Sequence, residues 1–379
     1  MIPTPQGLAL GLLALVAGPN GQDGAAPWEP LDYEVITRWE WELPDEVWRP
    51  LGASLTVGGV TFAFTPNDRV LEIDADGNGR MDTRVRKDEG LVTLRAKALG
   101  GTYAVRVRRE GDAWSWAPGG MLTGRIEGVK VRLLDLDGDG RHGTHGVDAL
   151  IVGRLRHAGF MTEVAAIDGA LVHLEVEEDG DGARMRTHAY QGPVAHLDAR
   201  SGFESSGALE CAIFRSGNVY IDAASTKKPL LVPCGTYELV LGRVTRGARQ
   251  ARIAPGRFMP IELAEGAHHE ITWGGRLHAD FTYHVLRDEL TVNPDVHFFD
   301  EAGAEYLGFA PIAKAPLLRV RNAETGNLVQ FGRFGGCCGG GYTAWRATVP
   351  QGLDLVVELE HERMLFGKIA GTGRPEQRR

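Results

Sequence analysis

Strict alternation of apolar and polar residues dominates the chain. Across residues 102–108, Tyr103, Val105 and Val107 fall on one side, and Arg106 and Arg108 on the other. Residues 129–133 set Val129, Val131 and Leu133 against Lys130 and Arg132. Residues 171–177 set Val172, Leu174 and Val176 against His173, Glu175 and Glu177. A two-residue period sends successive side chains to opposite faces of a strand, so each run predicts a strand with one buried face. No long stretch carries apolar residues at helical spacing behind a capping residue. Short strands separated by Gly- and Asp-rich turns predict an all-β chain of β-sandwich-like domains.

The chain has 379 residues, more than one hydrophobic core usually serves, so two or three such domains are expected. Residues 1–24 read as a signal peptide. Positions 8–17 are almost purely apolar and end at Gly18-Pro19-Asn20-Gly21, a length that suits an export signal and is too short to span a bilayer. No transmembrane segment is expected elsewhere. A β-rich domain is expected over 25–200, with a turn-rich boundary at 198–207. Two β-sandwich-like modules follow, over 208–272 and 273–368, and residues 369–379 are expected to form a disordered tail. The expected location is secreted, periplasmic or cell-envelope.

Composition narrows the function classes. A hydrophobic fraction of 43% excludes disorder as the default state. The formal net charge of -9 is spread along the chain and repels phosphate backbones, so no nucleic-acid partner is expected. None of the four cysteines forms a C-x-x-C pair, which removes zinc-ribbon and thioredoxin-type readings. In an exported chain disulfides form, and Cys211 and Cys234, which flank one small β-unit, are the expected pair. Cys337 and Cys338 are adjacent between glycines; a vicinal ring and two separate partners both stay open.

Two loops carry the clearest chemistry. The first reads Asp74-Ala-Asp76-Gly-Asn78-Gly-Arg80-Met-Asp82. The second reads Asp135-Leu-Asp137-Gly-Asp139-Gly-Arg141, with Asp148 further on. Calcium takes six to eight oxygen ligands, and short acidic side chains at alternate positions converge on one point if the loop turns sharply. Gly79 and Gly140 stand where that turn is needed, and the carbonyls of Arg80 and Arg141 are the expected seventh-position ligands. The metal set on spacing is therefore Asp74, Asp76, Asn78 and Arg80 in one loop, and Asp135, Asp137, Asp139 and Arg141 in the other. The twelfth positions, Val85 and Gly146, lack the bidentate Glu of an EF-hand. These segments resemble the Asp-x-Asp-x-Asp-Gly calcium loops of dockerins, thrombospondin type-3 repeats and other exported bacterial β-proteins. In those loops a later acid completes the shell, a role that the resemblance assigns to Asp82 and Asp148. The competing reading is a solvated hairpin tip, since Asp-Gly also favours turns. Three acidic or amide side chains at strict alternation exceed what a turn needs. Residues 177–182, by contrast, read as a plain hairpin.

The segment Val232-Pro-Cys-Gly235-Thr-Tyr237-Glu-Leu-Val-Leu-Gly242 resembles the turn-and-strand of transthyretin-like, carboxypeptidase-regulatory-like sandwich modules, which are usually non-catalytic accessories. Trp39 and Trp41, like Trp114 and Trp116, share a strand face if extended, and burial is expected of both pairs. There is no G-x-S-x-G elbow, Walker loop or dinucleotide fingerprint. Together these readings predict a non-catalytic, calcium-binding exported or envelope protein with a cell-surface glycan or envelope protein as partner. The alternatives are a secreted glycan hydrolase and a carbohydrate-binding module using exposed Trp.

Overall fold

A computed structural model describes residues 26–67, 69–99, 101–179, 182–311, 314–336 and 342–376. The chain is all-β, as the alternation predicts; one short 3-10 turn, Lys97–Leu99, is the sole helical element among the described residues. Among them no helix is long and apolar enough to cross a membrane. The expected signal segment and Cys337 and Cys338 lie outside the described residues.

The N-terminal half contains more than one core. An eight-stranded antiparallel sheet joins, in spatial order, Gly159–Phe160, Ala149–Val152, Val129–Leu134, Gly120–Ile126, Glu29–Val35, Gly182–Ala189, Ala170–Asp179 and Val164–Ile167. Its core holds Leu122, Val131, Leu133, Leu174 and Met185. Strands Glu29–Val35 and Gly120–Ile126 are direct neighbours, with Val35 opposite Gly120. Residues 36–119 therefore leave and re-enter the sheet at one place.

That insertion packs its own two four-stranded sheets face to face. One contains Ser54–Val57, Val60–Pro66, Leu71–Ile73 and Thr83–Val85; the other contains Arg49–Pro50, Glu89–Leu94, Tyr103–Glu110 and Ala113–Pro118. Phe62, Phe64, Ile73, Val105, Trp114 and Trp116 fill the space between them. Periodicity marks the strands but not the nesting, because an insertion between adjacent strands leaves the strand pattern unchanged.

The C-terminal half shares one large core from Ala195 to Ile369. Strand Val194–Asp198 pairs with Leu230–Pro233 and His268–Glu270, so this half begins before the turn-rich segment expected to divide the chain. A twelve-stranded sheet then crosses the expected division at 272: Arg249–Ala254 pairs with Glu305–Ala310. The expected disordered tail is instead paired structure up to Glu376. Gly367–Thr372 lies between Leu355–Met364 and His278–Asp280, and Arg374–Pro375 pairs with Thr282–Leu286. Its polar residues misled the reading: Ile369 is the buried anchor, and Arg374 is held by Asp280 at 2.7 Å.

The expected Cys211–Cys234 disulfide does not form; both are free. Cys211 pairs across the sheet with Arg243, nine residues along the strand from Cys234, or roughly 30 Å at strand rise. Cys211 instead packs with Phe160, Ile213 and Leu241.

Candidate metal centres in two acidic loops

Both acidic loops connect antiparallel neighbours. The first joins Leu71–Ile73 to Thr83–Val85, and the second joins Val129–Leu134 to Ala149–Val152. Each strand ends by delivering an Asp into buried space: Asp74 and Asp135 are both buried, the latter completely.

The two loops repeat one hydrogen-bond frame. Asp74 Oδ2 accepts from the Gly79 amide at 2.8 Å, and Asp135 Oδ2 from the Gly140 amide at 2.8 Å. Asp76 accepts from the Asn78 amide and Asp137 from the Asp139 amide, each at 3.2 Å. The Ala75 amide donates to Asp82 and the Leu136 amide to Asp148, each at 3.1 Å. Asp82 and Asp148 thus do the same job although one lies closer in sequence than the other. The extra residues of the second loop turn back through Thr144, whose amide donates to Asp148 Oδ2 at 2.8 Å. Gly140 sits at a φ of 92°, where a side chain is strained, and its added Cβ would lie 2.8 Å from the Gly58 amide nitrogen.

This frame brings three carboxylates together in each loop. Oxygens of Asp74, Asp76 and Asp82 lie within 4.8 Å of one another, and so do those of Asp135, Asp137 and Asp148. Each group can hold a metal ion. The donors are all hard carboxylate oxygens, with no thiolate or imidazole in either group, which matches calcium or magnesium better than zinc or copper.

Asp139 does not join the second carboxylate group, and the Asn78 side chain meets the first only by donating from Nδ2 to Asp76 Oδ2 at 2.8 Å. Asn78 Oδ1 accepts from the Arg80 amide at 2.8 Å, and Asp139 Oδ1 from the Arg141 amide at 2.7 Å. Both side chains brace the turn. Arg80 and Arg141 are exposed.

Burial separates the two sites. In the first, Asp76 and Asp82 are exposed and only Asp74 is buried; in the second, Asp135 and Asp148 are both fully buried and only Asp137 is exposed. Burial pushes Asp135 up to about 6, against the lowering pull of Tyr103, His142 and the Gly138 and Gly140 amides. Burial likewise pushes Asp148 up to about 7, aided by the charges of Asp135 and Asp137 and opposed by the Thr144 and Leu136 amides. Two buried acids held this close favour a counter-charge, either a proton or a cation.

Several residues of this site carried no sequence signal. Tyr103 donates to Asp135 Oδ2 at 2.6 Å, and burial followed by the Asp135 charge drives its hydroxyl pKa well above the usual range. His142 is buried, its ring Nδ1 lying 3.1 Å from Glu178 Oε2 while its amide donates to Glu178 Oε1 at 2.6 Å. Burial raises the pKa of Glu178, but the ring and amide of His142 and the charge of Arg141 outweigh it and hold the carboxyl low. Glu178 belongs to the segment that reads as a plain hairpin. The hairpin is present, with Asp179 opposite Gly182, yet its carboxylate braces the second acidic loop.

The two tryptophan pairs differ in burial. Trp114 and Trp116 are buried as expected. Trp39 and Trp41 are half-buried outside regular strands, with the guanidinium of Arg106 3.5 Å from the Trp39 ring centre and that of Arg132 5.2 Å from the Trp41 ring centre.

No protein-family model matches the chain. Comparison with curated proteins and with solved structures likewise finds no match.

Proposed function

We propose that the protein is a non-catalytic, calcium-stabilised β-protein of the cell exterior or envelope. The observation that carries this reading is the repeated frame: two loops of different length gather three carboxylates each through the same backbone donors. Without a cation those carboxylates repel one another, and the buried pair in the second loop does so in a poorly screened interior. Calcium supplies the missing charge and takes further oxygens from backbone or water. The two buried acids of the second loop, Asp135 and Asp148, accept from backbone amides on both oxygens, an arrangement suited to holding a loop in place and less to proton transfer with a substrate. Export rests on the apolar stretch at residues 8–17.

The test is the thermal midpoint of the folded chain in millimolar calcium, in magnesium and in EGTA. A ligand that binds only the folded state raises stability by mass action, so calcium at about one hundred times its dissociation constant adds about 2.7 kcal/mol per site. A midpoint unmoved by calcium sinks the reading.

A further inference from the structure

A cavity of about 690 Å³ opens where the second acidic loop faces the C-terminal half. That volume falls within the range of small-molecule pockets. Its apolar wall comes from both halves of the chain: Phe160 and Val147 on one side, Tyr220 and Phe258 on the other. Phe160 and Tyr220 meet edge to face at 5.6 Å. Val47 and Val147, both on the wall, are 46% and 37% exposed, so apolar surface is left open to a ligand.

The polar lining has a distinct composition. It offers three acceptor groups, Asp45, Asp137 and Glu238, and two donor groups, Arg49 and Arg215. Arg215 and Glu238 are already joined at 2.8 Å, and Asp45 lies 3.5 Å from Arg252, so only a small negative excess is left. Arg49 spends one terminal nitrogen on the Leu136 carbonyl at 2.9 Å, while its other, Nη1, is buried with no partner. Such a lining suits a neutral ligand whose groups both donate and accept. Hydroxyls do this, and a charged ligand of either sign meets an opposing group.

We infer that this cavity binds a neutral oligosaccharide. A sugar ring presents an apolar C–H face to Tyr220 and Phe258 and a rim of hydroxyls to the mixed carboxylate and guanidinium lining. Asp137 connects this site to the proposed calcium loop, since it is the exposed carboxylate of its group and also lines the cavity. A part for the ion in sugar binding rests on the calcium reading, whereas the cavity and its walls do not.

The test is calorimetric titration with cellohexaose, xylohexaose, mannohexaose and chitohexaose, in calcium and in EGTA, on the wild type and Val147→Arg. Val147 is exposed, so arginine there fills the cavity mouth without entering a core; Val47→Arg serves the same purpose should the first variant fold poorly. Support is binding of at least one hexasaccharide that the arginine weakens tenfold or more. Binding in calcium alone places the ion in the site, and binding in both buffers assigns recognition to the walls. No binding by any of the four, or binding that both arginine variants leave unchanged, overturns the inference. The midpoint shift with calcium is read separately, so either conclusion can fail while the other stands.

Discussion

Tyr103, in the inserted sandwich, donates its hydroxyl hydrogen to Asp135 of the host sheet across 2.6 Å of fully buried space. The second acidic loop is therefore a joint between units. The Gly58 amide of the insertion donates to the Asp139 carbonyl at 3.1 Å, and the Tyr33 hydroxyl of the host accepts from the Ala104 amide of the insertion at 2.7 Å. On the other side, Tyr220 of the C-terminal half sits so close that a Cβ on Gly146 would lie 2.2 Å from its hydroxyl oxygen. Removing the Tyr103 hydroxyl leaves a buried carboxylate oxygen one donor short. Tyr103→Phe is expected to lower stability by about 1–3 kcal/mol, measured by denaturant unfolding in EGTA. A loss below about 0.5 kcal/mol, the ordinary range of an indifferent substitution, would mean that the bond contributes nothing to the joint.

The two loops differ in what they hold together, so their variants should differ in kind. The first closes a hairpin inside the insertion, whereas the second touches all three packed units. Asp74→Asn and Asp135→Asn are each expected to remove one calcium equivalent in calorimetry. Each variant should lose its own site's share of the calcium-dependent rise in thermal midpoint, and the Asp135 variant alone should also speed hydrogen exchange at the Gly58 amide, which bonds the second loop across the joint. Equal loss of stability in calcium and in EGTA would show that these residues serve the fold and not a metal.

The alternation at Val105 and Val107, at Val131 and Leu133 and at Val172 and Leu174 was enough to read the all-β class, because strand burial is a local pattern. The Asp-x-Asp spacing exposed the loops for the same reason, whereas Asp82 and Asp148 entered through the resemblance to known calcium loops. The partners Tyr103, His142 and Glu178 were invisible. Each reaches the second loop by strand pairing or by the nesting of the insertion, and no local period records which strands lie side by side. The same limit hid the strand at Gly367–Thr372, whose place between two distant strands is set by sheet order alone.

Two separate thiols make a chemical prediction. Cys211 is buried and burial raises its pKa, while Cys234 is partly exposed at a turn. Iodoacetamide should label Cys234 in the native protein, and should reach Cys211 only after unfolding, since reaction needs both access and thiolate. Peptide mapping by mass spectrometry under non-reducing conditions reads both sites. A peptide pair linked through Cys211 and Cys234 would contradict the strand register that keeps them apart.

The ordered C-terminal segment depends on charge and therefore on pH. Asp280 stands between Arg257 and Arg374. Partial burial raises its pKa, but the hydrogen bonds and charges of the two guanidinium groups outweigh this and hold it below the usual carboxylate range. A carboxyl with a lower pKa in the folded state contributes stability that is present above its unfolded pKa, about 3.9, and is lost as pH falls through the folded value. Both arginines are well exposed, so solvent screening limits the contribution to about 1 kcal/mol or less. Asp280→Asn should accordingly lower stability by up to that amount at pH 7, and the deficit should shrink steadily below about pH 4. High salt at pH 7 should shrink it as well. Urea unfolding of the two proteins across that pH range makes the comparison. A deficit of equal size at every pH would assign the role of Asp280 to packing, and the C-terminal strand would then be held by Ile369, its backbone pairing and its other ion pairs, such as Lys368 with Glu360 at 2.8 Å.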